Sequence, residues 1–225
     1  MKKLTSIIVI LFLSLFSSPS WSETLSMDDL VERDDLYYKK FTDVPFTGEI
    51  TGKKQGSIKD GMRTGEWITY YDQGQLFHKG KYKDGKKVGK WVTYWDNGQL
   101  WFKGEYNKNG KRVGEWVNFY SDGQLWKKGE YNKNTNRIGE WVYYHLNGQL
   151  WKKGKYKDDM KEGEWVYYYD SGQLNRKGEY KDDWQEGEWV SYWDNGQLKY
   201  KGEYKDVKKV GKWEYYNKDG TVDNQ

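Results

Sequence analysis

The sequence lacks cysteine altogether and has only two prolines and two histidines among its 225 residues. Without cysteine no disulfide can form, so packing and backbone pairing must hold the fold together. The Cys/His spacing of a structural zinc site is absent for the same reason. Aliphatic residues are scarce, whereas 14 tryptophans and 21 tyrosines are present. We therefore expect rows of aromatic side chains to exclude water from the core.

The chain also lacks a strong excess of charge of either sign. It carries 38 Lys and Arg against 34 Asp and Glu, a formal net charge of +4. Residues 1–22 hold two lysines and no acid, so the remainder carries +2. Because the charge is nearly balanced and the two signs are interspersed, a nucleic-acid partner is not expected.

One apolar run, residues 4–16, lies close to the N-terminus. Two lysines precede it, and Ser20 and Ser22 follow it as small residues around a cleavage position. This order is typical of a secretory signal peptide, and we predict cleavage after Ser22 and a periplasmic or secreted protein. An uncleaved membrane anchor is the alternative, although the run is shorter than the ~20 residues of a spanning helix.

A unit of 24 or 25 residues recurs from about residue 46 to residue 222. Each unit has a Gly-Glu/Lys-Trp motif, a glycine seven residues after the tryptophan, and most units have a Lys-Gly-x-Tyr motif. The tryptophans of the first motif are Trp67, Trp91, Trp116, Trp141, Trp165, Trp189 and Trp213. The glycines of the last motif are Gly80, Gly104, Gly129, Gly154, Gly178 and Gly202. The extra residue of the longer units falls between the tyrosine and the next tryptophan, which predicts a loop there.

Each unit has the pattern of a β-hairpin. "EWVTYW" is rich in β-branched and aromatic residues, "DNGQ" is a turn signal, and "QLWFKGEY" is the return strand. Asn97 and Gly98 suit the two central positions of a type I′ turn, where both residues need a positive φ. We therefore predict a two-residue loop.

That loop fixes which residues face each other across the hairpin. The predicted pairs are Trp91 with Gly104, Tyr94 with Trp101, and Trp95 with Leu100. Each indole would cover the glycine of its own hairpin and protect it. Counting outward from the loop along both strands also pairs residues of opposite charge in several units. Two pairs are exceptions, because Glu115 would face Glu130 and Glu164 would face Glu179. Alternation places Trp91, Trp95 and Leu100 on one face, and Val92, Tyr94 and Trp101 on the other.

The predicted fold is all-β: an elongated, single-layer antiparallel meander of about fourteen strands, stabilised by contacts between neighbouring units. Residues 23–45 do not fit the repeat and form a lead-in. They are interpreted as a short helical turn capped by Ser26 or as an acidic cover over the first strand edge; we favour the cover. The stretch after Trp213 lacks the second half of the unit and is expected to close the array, with residues 223–225 as a tail.

The consensus "GEWVxYYxNGQLxxKGxYKDGKxxG" resembles the bacterial variant of the MORN repeat family. The resemblance extends over about residues 46–220 and implies a single-layer antiparallel β-sheet built of hairpins. Some bacterial relatives in this family carry an antitoxin label, which the predicted export signal argues against.

No residue set in the sequence points to catalysis. His78 and His145 occupy positions that vary between units, and the acidic residues recur with the repeat instead of forming one special pair. A Ser-His-Asp set would require one unit to differ from its neighbours. We therefore predict a protein that is not an enzyme and has no cofactor or bound metal.

Two columns of residues suggest binding. One is aromatic in four successive units and then turns polar at Asn175 and Lys199, which indicates either a contact patch or simple sheet packing. Its aromatic members are Phe77, Trp101, Trp126 and Trp151. The other column is basic and either meets anionic headgroups or acidic glycans or only keeps the protein soluble. Its members are Lys79, Lys103, Lys128, Lys153, Lys177 and Lys201.

Two functional hypotheses follow from these columns. The first is a protein–protein interaction scaffold that docks another protein along the sheet. The alternative is a module that binds cell-surface glycans or anionic lipid headgroups through the aromatic and lysine columns. The scaffold is favoured, and the sequence leaves the oligomeric state open.

Overall fold

The computed structural model describes residues 22–223, so the predicted signal peptide lies outside the described residues except for Ser22. Within this part of the chain there is one 3₁₀ helix, Met27–Asp29, and no helix long and apolar enough to cross a membrane. The strands are β1 Glu23–Ser26, β2 Leu30–Arg33, β3 Leu36–Lys39, β4 Gly48–Thr51, β5 Lys54–Lys59, β6 Met62–Tyr70, β7 Leu76–Lys83, β8 Lys86–Tyr94, β9 Leu100–Tyr106, β10 Arg112–Phe119, β11 Leu125–Tyr131, β12 Arg137–Tyr144, β13 Leu150–Lys157, β14 Met160–Tyr168, β15 Leu174–Lys181, β16 Trp184–Tyr192, β17 Leu198–Lys205 and β18 Lys208–Tyr215.

Sixteen of these strands form one open sheet in the order β1, then β4 through β18. Neighbours from β4 onward are antiparallel and consecutive in sequence, whereas β1 pairs with β4 in parallel. The predicted single-layer meander of hairpins is confirmed. It has more strands than the fourteen expected, partly because the lead-in adds β1.

The lead-in has the features of both interpretations. β1 covers the outer edge of β4, with Glu23 opposite Gly48. The 3₁₀ helix follows, and the Ser26 hydroxyl donates to the Asp29 carboxylate at 2.7 Å. The sequence did not predict the β2–β3 hairpin, whose Leu30 and Tyr37 are buried in one cluster with Trp67. The lead-in therefore covers the edge of β4, makes β1 the terminal strand of the sheet, and extends the core.

The turn at Asn97-Gly98 has a three-residue loop. The Gly98 N–H donates to the Trp95 carbonyl at 2.9 Å, and the Trp95 N–H donates to the Gln99 carbonyl at 2.8 Å. Gly98 has a φ of +82°, whereas Asn97 is not among the residues with positive φ. This geometry is that of a type I turn followed by a left-handed glycine. The predicted type I′ loop was wrong because that turn requires a positive φ at both central residues.

The register at the far end of the hairpin is nevertheless the predicted one. Trp91 lies opposite Gly104, and the like-charged pairs Glu115–Glu130 and Glu164–Glu179 also occur. Near the turn, Tyr94 lies opposite Leu100, and Trp101 is the unpaired residue of a β-bulge. The predicted pairs of Tyr94 with Trp101 and of Trp95 with Leu100 were therefore wrong. The longer loop shifts the register by one residue, and the bulge shifts it back.

Type I′ loops do occur at the other end of the strands. Asp84 and Gly85 have φ values of +50° and +74° between the paired residues Lys83 and Lys86. In a longer unit, the Gly110 N–H instead donates to the Asn107 carbonyl at 2.9 Å across a three-residue loop. The extra residue thus changes the loop type and leaves the strands unaltered, and its predicted location is confirmed.

One of these loops has an unfavourable residue. Val207 has a φ of +62° at the position where Gly85 has +74°. The left-handed conformation costs a residue with a Cβ about 1 to 2 kcal/mol. We expect Val207→Gly to raise the free energy of unfolding by about 1 kcal/mol, measured by chemical denaturation. Val207→Ala keeps the Cβ and should gain less; equal gains would contradict the backbone explanation.

Candidate functional site

One face of the sheet, here called the tryptophan face, carries the tryptophans of the Gly-x-Trp motif. Trp165 and Trp189 are fully buried. Each inner indole, from Trp91 to Trp189, lies edge-to-face between two tyrosines of the Lys-Gly-x-Tyr motif, with ring centroids 5.0 to 6.4 Å apart. The end tryptophans Trp67 and Trp213 each contact one such tyrosine. A continuous row of alternating tryptophan and tyrosine rings therefore runs across the strands and forms the core.

Each indole covers the glycine of the preceding hairpin. A Cβ added to Gly80 would lie 2.3 Å from Trp91 Cδ2, and the Trp91 Nε1–H donates to the Lys81 carbonyl at 3.2 Å. Trp116, and not Trp91, lies over Gly104, so the predicted cover within one hairpin was wrong. The pairs are Trp67 over Gly56, Trp91 over Gly80, Trp116 over Gly104, Trp141 over Gly129, Trp165 over Gly154, Trp189 over Gly178 and Trp213 over Gly202. These contacts join each repeat to the one before it.

The predicted binding column also lies on the tryptophan face. The Trp101 ring stacks on Trp95 at 4.5 Å and lies 5.6 Å from Phe102, whose ring stacks on Trp116. The expectation that this column points away from the buried tryptophans was wrong, because the bulge turns Trp101 over and pairs Leu100 with Tyr94. Phe77, Trp126 and Trp151 are bulged residues in the same way.

The bulged side chains pack on neighbours and keep accessible surface. Trp151 is 39% exposed, and Phe77, Trp101 and Trp126 are half-buried. The Lys127 ammonium lies 4.3 Å from the Trp126 ring. This column therefore contributes both to sheet packing and to a surface that a partner can reach.

The aromatic residue that begins each turn, such as Trp95 or Tyr120, explains why rings crowd around the turns. The Trp95 Nε1–H donates to the Phe119 carbonyl at 3.3 Å, and the Tyr120 hydroxyl donates to the Tyr144 carbonyl at 2.8 Å. Asn97 Nδ2 likewise donates to the Ser121 carbonyl, at 2.6 Å. Each turn is thus hydrogen-bonded to the next turn, which satisfies backbone groups beyond the regular ladder.

Cations cover the aromatic row, a feature that the sequence reading missed. Lys87 Nζ lies 4.3 Å from the Trp91 ring, and Arg137 Cζ lies 3.9 Å from the Tyr156 ring. The sequence signal is a basic residue four positions before the motif tryptophan in six repeats. These residues are Arg63, Lys87, Arg112, Arg137, Lys161 and Lys209. Such contacts place positive charge over the electron-rich ring faces.

The tryptophan face is positively charged overall. A second basic column on it consists of Lys127, Lys152 and Arg176. No Asp or Glu occupies the positions of strands β6 to β18 that share this face. Burial, followed by repulsion from Arg63 and Arg112, lowers the pKa of Lys87. The face therefore favours a partner that brings negative charge.

The predicted lysine column lies on the opposite face, where Lys79, Lys103 and Lys128 are exposed. Acidic residues alternate with basic ones beside it, as in Glu66, whose carboxylate lies 3.6 Å from Lys81 Nζ. This face carries both signs of charge and is the weaker candidate for an anionic partner.

Both histidines take part in packing. His78 lies between Phe77 and Trp91, at ring distances of 4.6 and 5.5 Å. Burial and, after it, the Lys87 charge lower the pKa of His78 to about 4. His145 Nε2 lies 3.1 Å from the Tyr168 carbonyl oxygen. Within residues 22–223 no three His, Asp or Glu side chains come together in a way that could hold a metal ion.

The fold and this surface define a repeat protein with an open β-sheet and one aromatic, cationic face. A family model described as "MORN repeat variant" matches six tandem stretches that together cover more than half of the chain. They are residues 63–84, 87–108, 112–133, 137–158, 161–182 and 185–206. The chain belongs to the MORN repeat variant family. Repeats of this kind are generally associated with binding to proteins or to membrane lipids. No curated protein matches the chain.

Proposed function

We propose that this chain is an exported, non-enzymatic scaffold that docks another protein on the tryptophan face. The observation that carries the proposal is the column of Phe77, Trp101, Trp126 and Trp151. β-Bulges present these four accessible aromatic side chains in successive repeats. Rigid aromatic side chains are common interface anchors because they bury a large area at a small entropic cost.

The charge of the tryptophan face supports a docking role. Lys87, Arg112, Lys127 and Lys152 form none of the ion pairs found in the described part of the chain. Their ammonium and guanidinium groups are held by neighbouring rings. A partner with an acidic surface would meet preorganised charges and would be steered to this face.

Export is the second part of the proposal, and its motivation is the tripartite pattern of residues 1–22. β1 begins at Glu23, whose carboxylate pairs with Lys39, so removal of residues 1–22 leaves every described strand complete. N-terminal sequencing of the protein from periplasmic or culture fractions should return Glu23. An intact Met1 on membrane-bound protein would contradict export.

The docking surface can be tested by capture of partners from periplasmic extract. In the double variant Phe77→Asn/Trp126→Lys, both new residues already occur at the equivalent position of other repeats, as Asn175 and Lys199. We expect it to fold and to lose at least about tenfold in captured partner, because interface anchors dominate binding energy. Quantitative mass spectrometry of the captured proteins measures the effect.

Lys153→Gln on the opposite face is the matched control and should capture partners as the parent chain does. If the double variant captures the same proteins in the same amounts, the column is structural and the docking proposal fails. A glycan array and vesicles with anionic lipids, probed in parallel, test the alternative ligand classes. Binding of the chain to the array or to the vesicles, with no protein captured from the extract, would favour the glycan or lipid hypothesis.

A further inference from the structure

A pocket opens on the tryptophan face where the aromatic column ends. The bulged residue is Trp151 in β13 and Asn175 in β15, so a ring is replaced by a short amide. The space beside Asn175 forms a pocket of about 510 Å³. Its walls include Trp151, Lys152, Lys161, Tyr167, Asn175 and Arg176. The volume lies within the range of small-molecule sites.

Three cations without acidic partners line the pocket. Lys152 Nζ lies 4.4 Å from the Trp151 ring, and Arg176 Cζ lies 4.4 Å from the Tyr167 ring. Lys161 Nζ donates to the Tyr167 hydroxyl at 3.3 Å. None of the three enters an ion pair within residues 22–223. The one carboxylate in the lining belongs to the exposed turn residue Asp170.

The cations retain unused capacity to bind an anion. Arg176 Nε is buried and has no hydrogen-bond partner among the described residues. Burial, and after it the charges of Lys161, Arg137 and Arg176, lower the pKa of Lys152. An anion in the pocket would relieve this repulsion, and a carboxylate matches the planar guanidinium donors of arginine.

The pocket also offers a surface for a ring. Trp151 is 39% exposed, more than any other residue of the aromatic column. An indole face carries partial negative charge and attracts the partly positive C–H groups on the apolar face of a sugar ring. The Asn175 amide beside it has hydrogen-bonding capacity for hydroxyl groups.

We propose that this pocket binds an acidic sugar residue of an oligosaccharide, with its ring against Trp151 and its carboxylate between Lys152 and Arg176. The site shares Trp151 and Lys152 with the proposed docking surface. It does not include Phe77 or Trp126, the residues through which protein docking is tested. An acidic peptide brings carboxylates but no pyranose ring, so it should bind more weakly.

The test uses calorimetric titration of the full chain with a trimer of galacturonic acid, the methyl ester of that trimer, and a tri-glutamate peptide. We expect the acidic trimer to bind at least about tenfold more tightly than either comparison ligand, because each lacks one of the two recognition elements. No measurable binding of the acidic trimer, or equal binding of tri-glutamate, would overturn the proposal.

Two variants test the location of the site. Asn175→Trp introduces the residue found at the equivalent position one repeat earlier, Trp151. The variant should therefore fold, and its new ring should fill the pocket. Arg176→Gln keeps the shape of the site and removes a charge. Each variant should lower the affinity for the acidic trimer at least about tenfold. Lys199→Trp places a tryptophan at the equivalent position one repeat further on, and its affinity for the trimer should stay within about twofold of that of the parent chain. Unchanged binding by Asn175→Trp overturns the proposal even if partner proteins are still captured through Phe77 and Trp126.

Discussion

Trp141→Ala should lower the free energy of unfolding by about 3 to 5 kcal/mol, the usual cost of deleting a large buried ring. Trp141 is 1% exposed, covers Gly129 in β11, and donates from Nε1 to the Glu130 carbonyl at 3.2 Å. Its ring lies 5.2 Å from Tyr131 but 6.2 Å from Tyr156. The substitution should therefore disturb the contact with the preceding repeat most.

Chemical denaturation gives the total effect, and hydrogen exchange with mass spectrometry gives its location. Loss of protection should centre on β11 and β12, since repeat arrays are held by nearest-neighbour contacts. Trp126→Ala, in the same region but half-buried, is the control and should cost less. Uniform loss of protection from β4 to β18 would indicate one cooperative core and contradict the local picture.

Gly154→Ala should also be strongly destabilising although it adds only one methyl group. The new Cβ would lie 2.3 Å from Trp165 Cδ2. Trp165 is 0% exposed, and its Nε1–H donates to the Lys155 carbonyl at 3.1 Å, so the indole cannot move aside freely. Overpacking of this kind costs about 1 to 3 kcal/mol.

A double-mutant cycle separates the clash from the intrinsic effect of alanine in a strand. Gly154→Ala lowers the free energy of unfolding in the parent chain. In a chain that already carries Trp165→Ala, and so lacks the indole, we expect this loss to be smaller by at least about 1 kcal/mol. Denaturation of the parent, both single variants and the double variant measures the coupling. Additive costs would show that the close approach of ring and glycine has no energetic role.

The repeat, the hairpins and the register between Trp91 and Gly104 could all be predicted from the sequence. The 24- or 25-residue period locates the strands, and the alternating pattern limits each pairing to a few registers. Even the unfavourable pair of Glu115 with Glu130 was expected and occurs. Such features depend on spacing along the chain, which the sequence contains directly.

The turn type could not be predicted because Asn-Gly suits two geometries. It fits the centre of a two-residue type I′ loop and also the end of a three-residue type I loop. The choice depends on the bulge at Trp101, whose ring stacks on Trp95 at 4.5 Å. The face of the binding column follows from the same bulge and was therefore mispredicted with it.

Which of two glycines each indole covers also could not be predicted from the sequence. Glycines flank Trp91 on both neighbouring strands, Gly80 on β7 and Gly104 on β9. Register alone allows either contact, and the direction in which the side chain leans decides between them. The cations on the tryptophan face were missed because their contacts depend on long side chains folding back over the rings.

The contact of each indole with the glycine of the preceding repeat gives the sheet a direction. Every such glycine lies N-terminal to its tryptophan, so the ribosome has already made it when that tryptophan emerges. The N-terminal part of a chain folds first when the chain emerges in that order, whether from the ribosome or across a membrane. Each hairpin that emerges therefore meets a strand edge that is already in place, beginning at the lead-in with Leu30 and Tyr37, and no buried tryptophan depends on a later segment for its glycine.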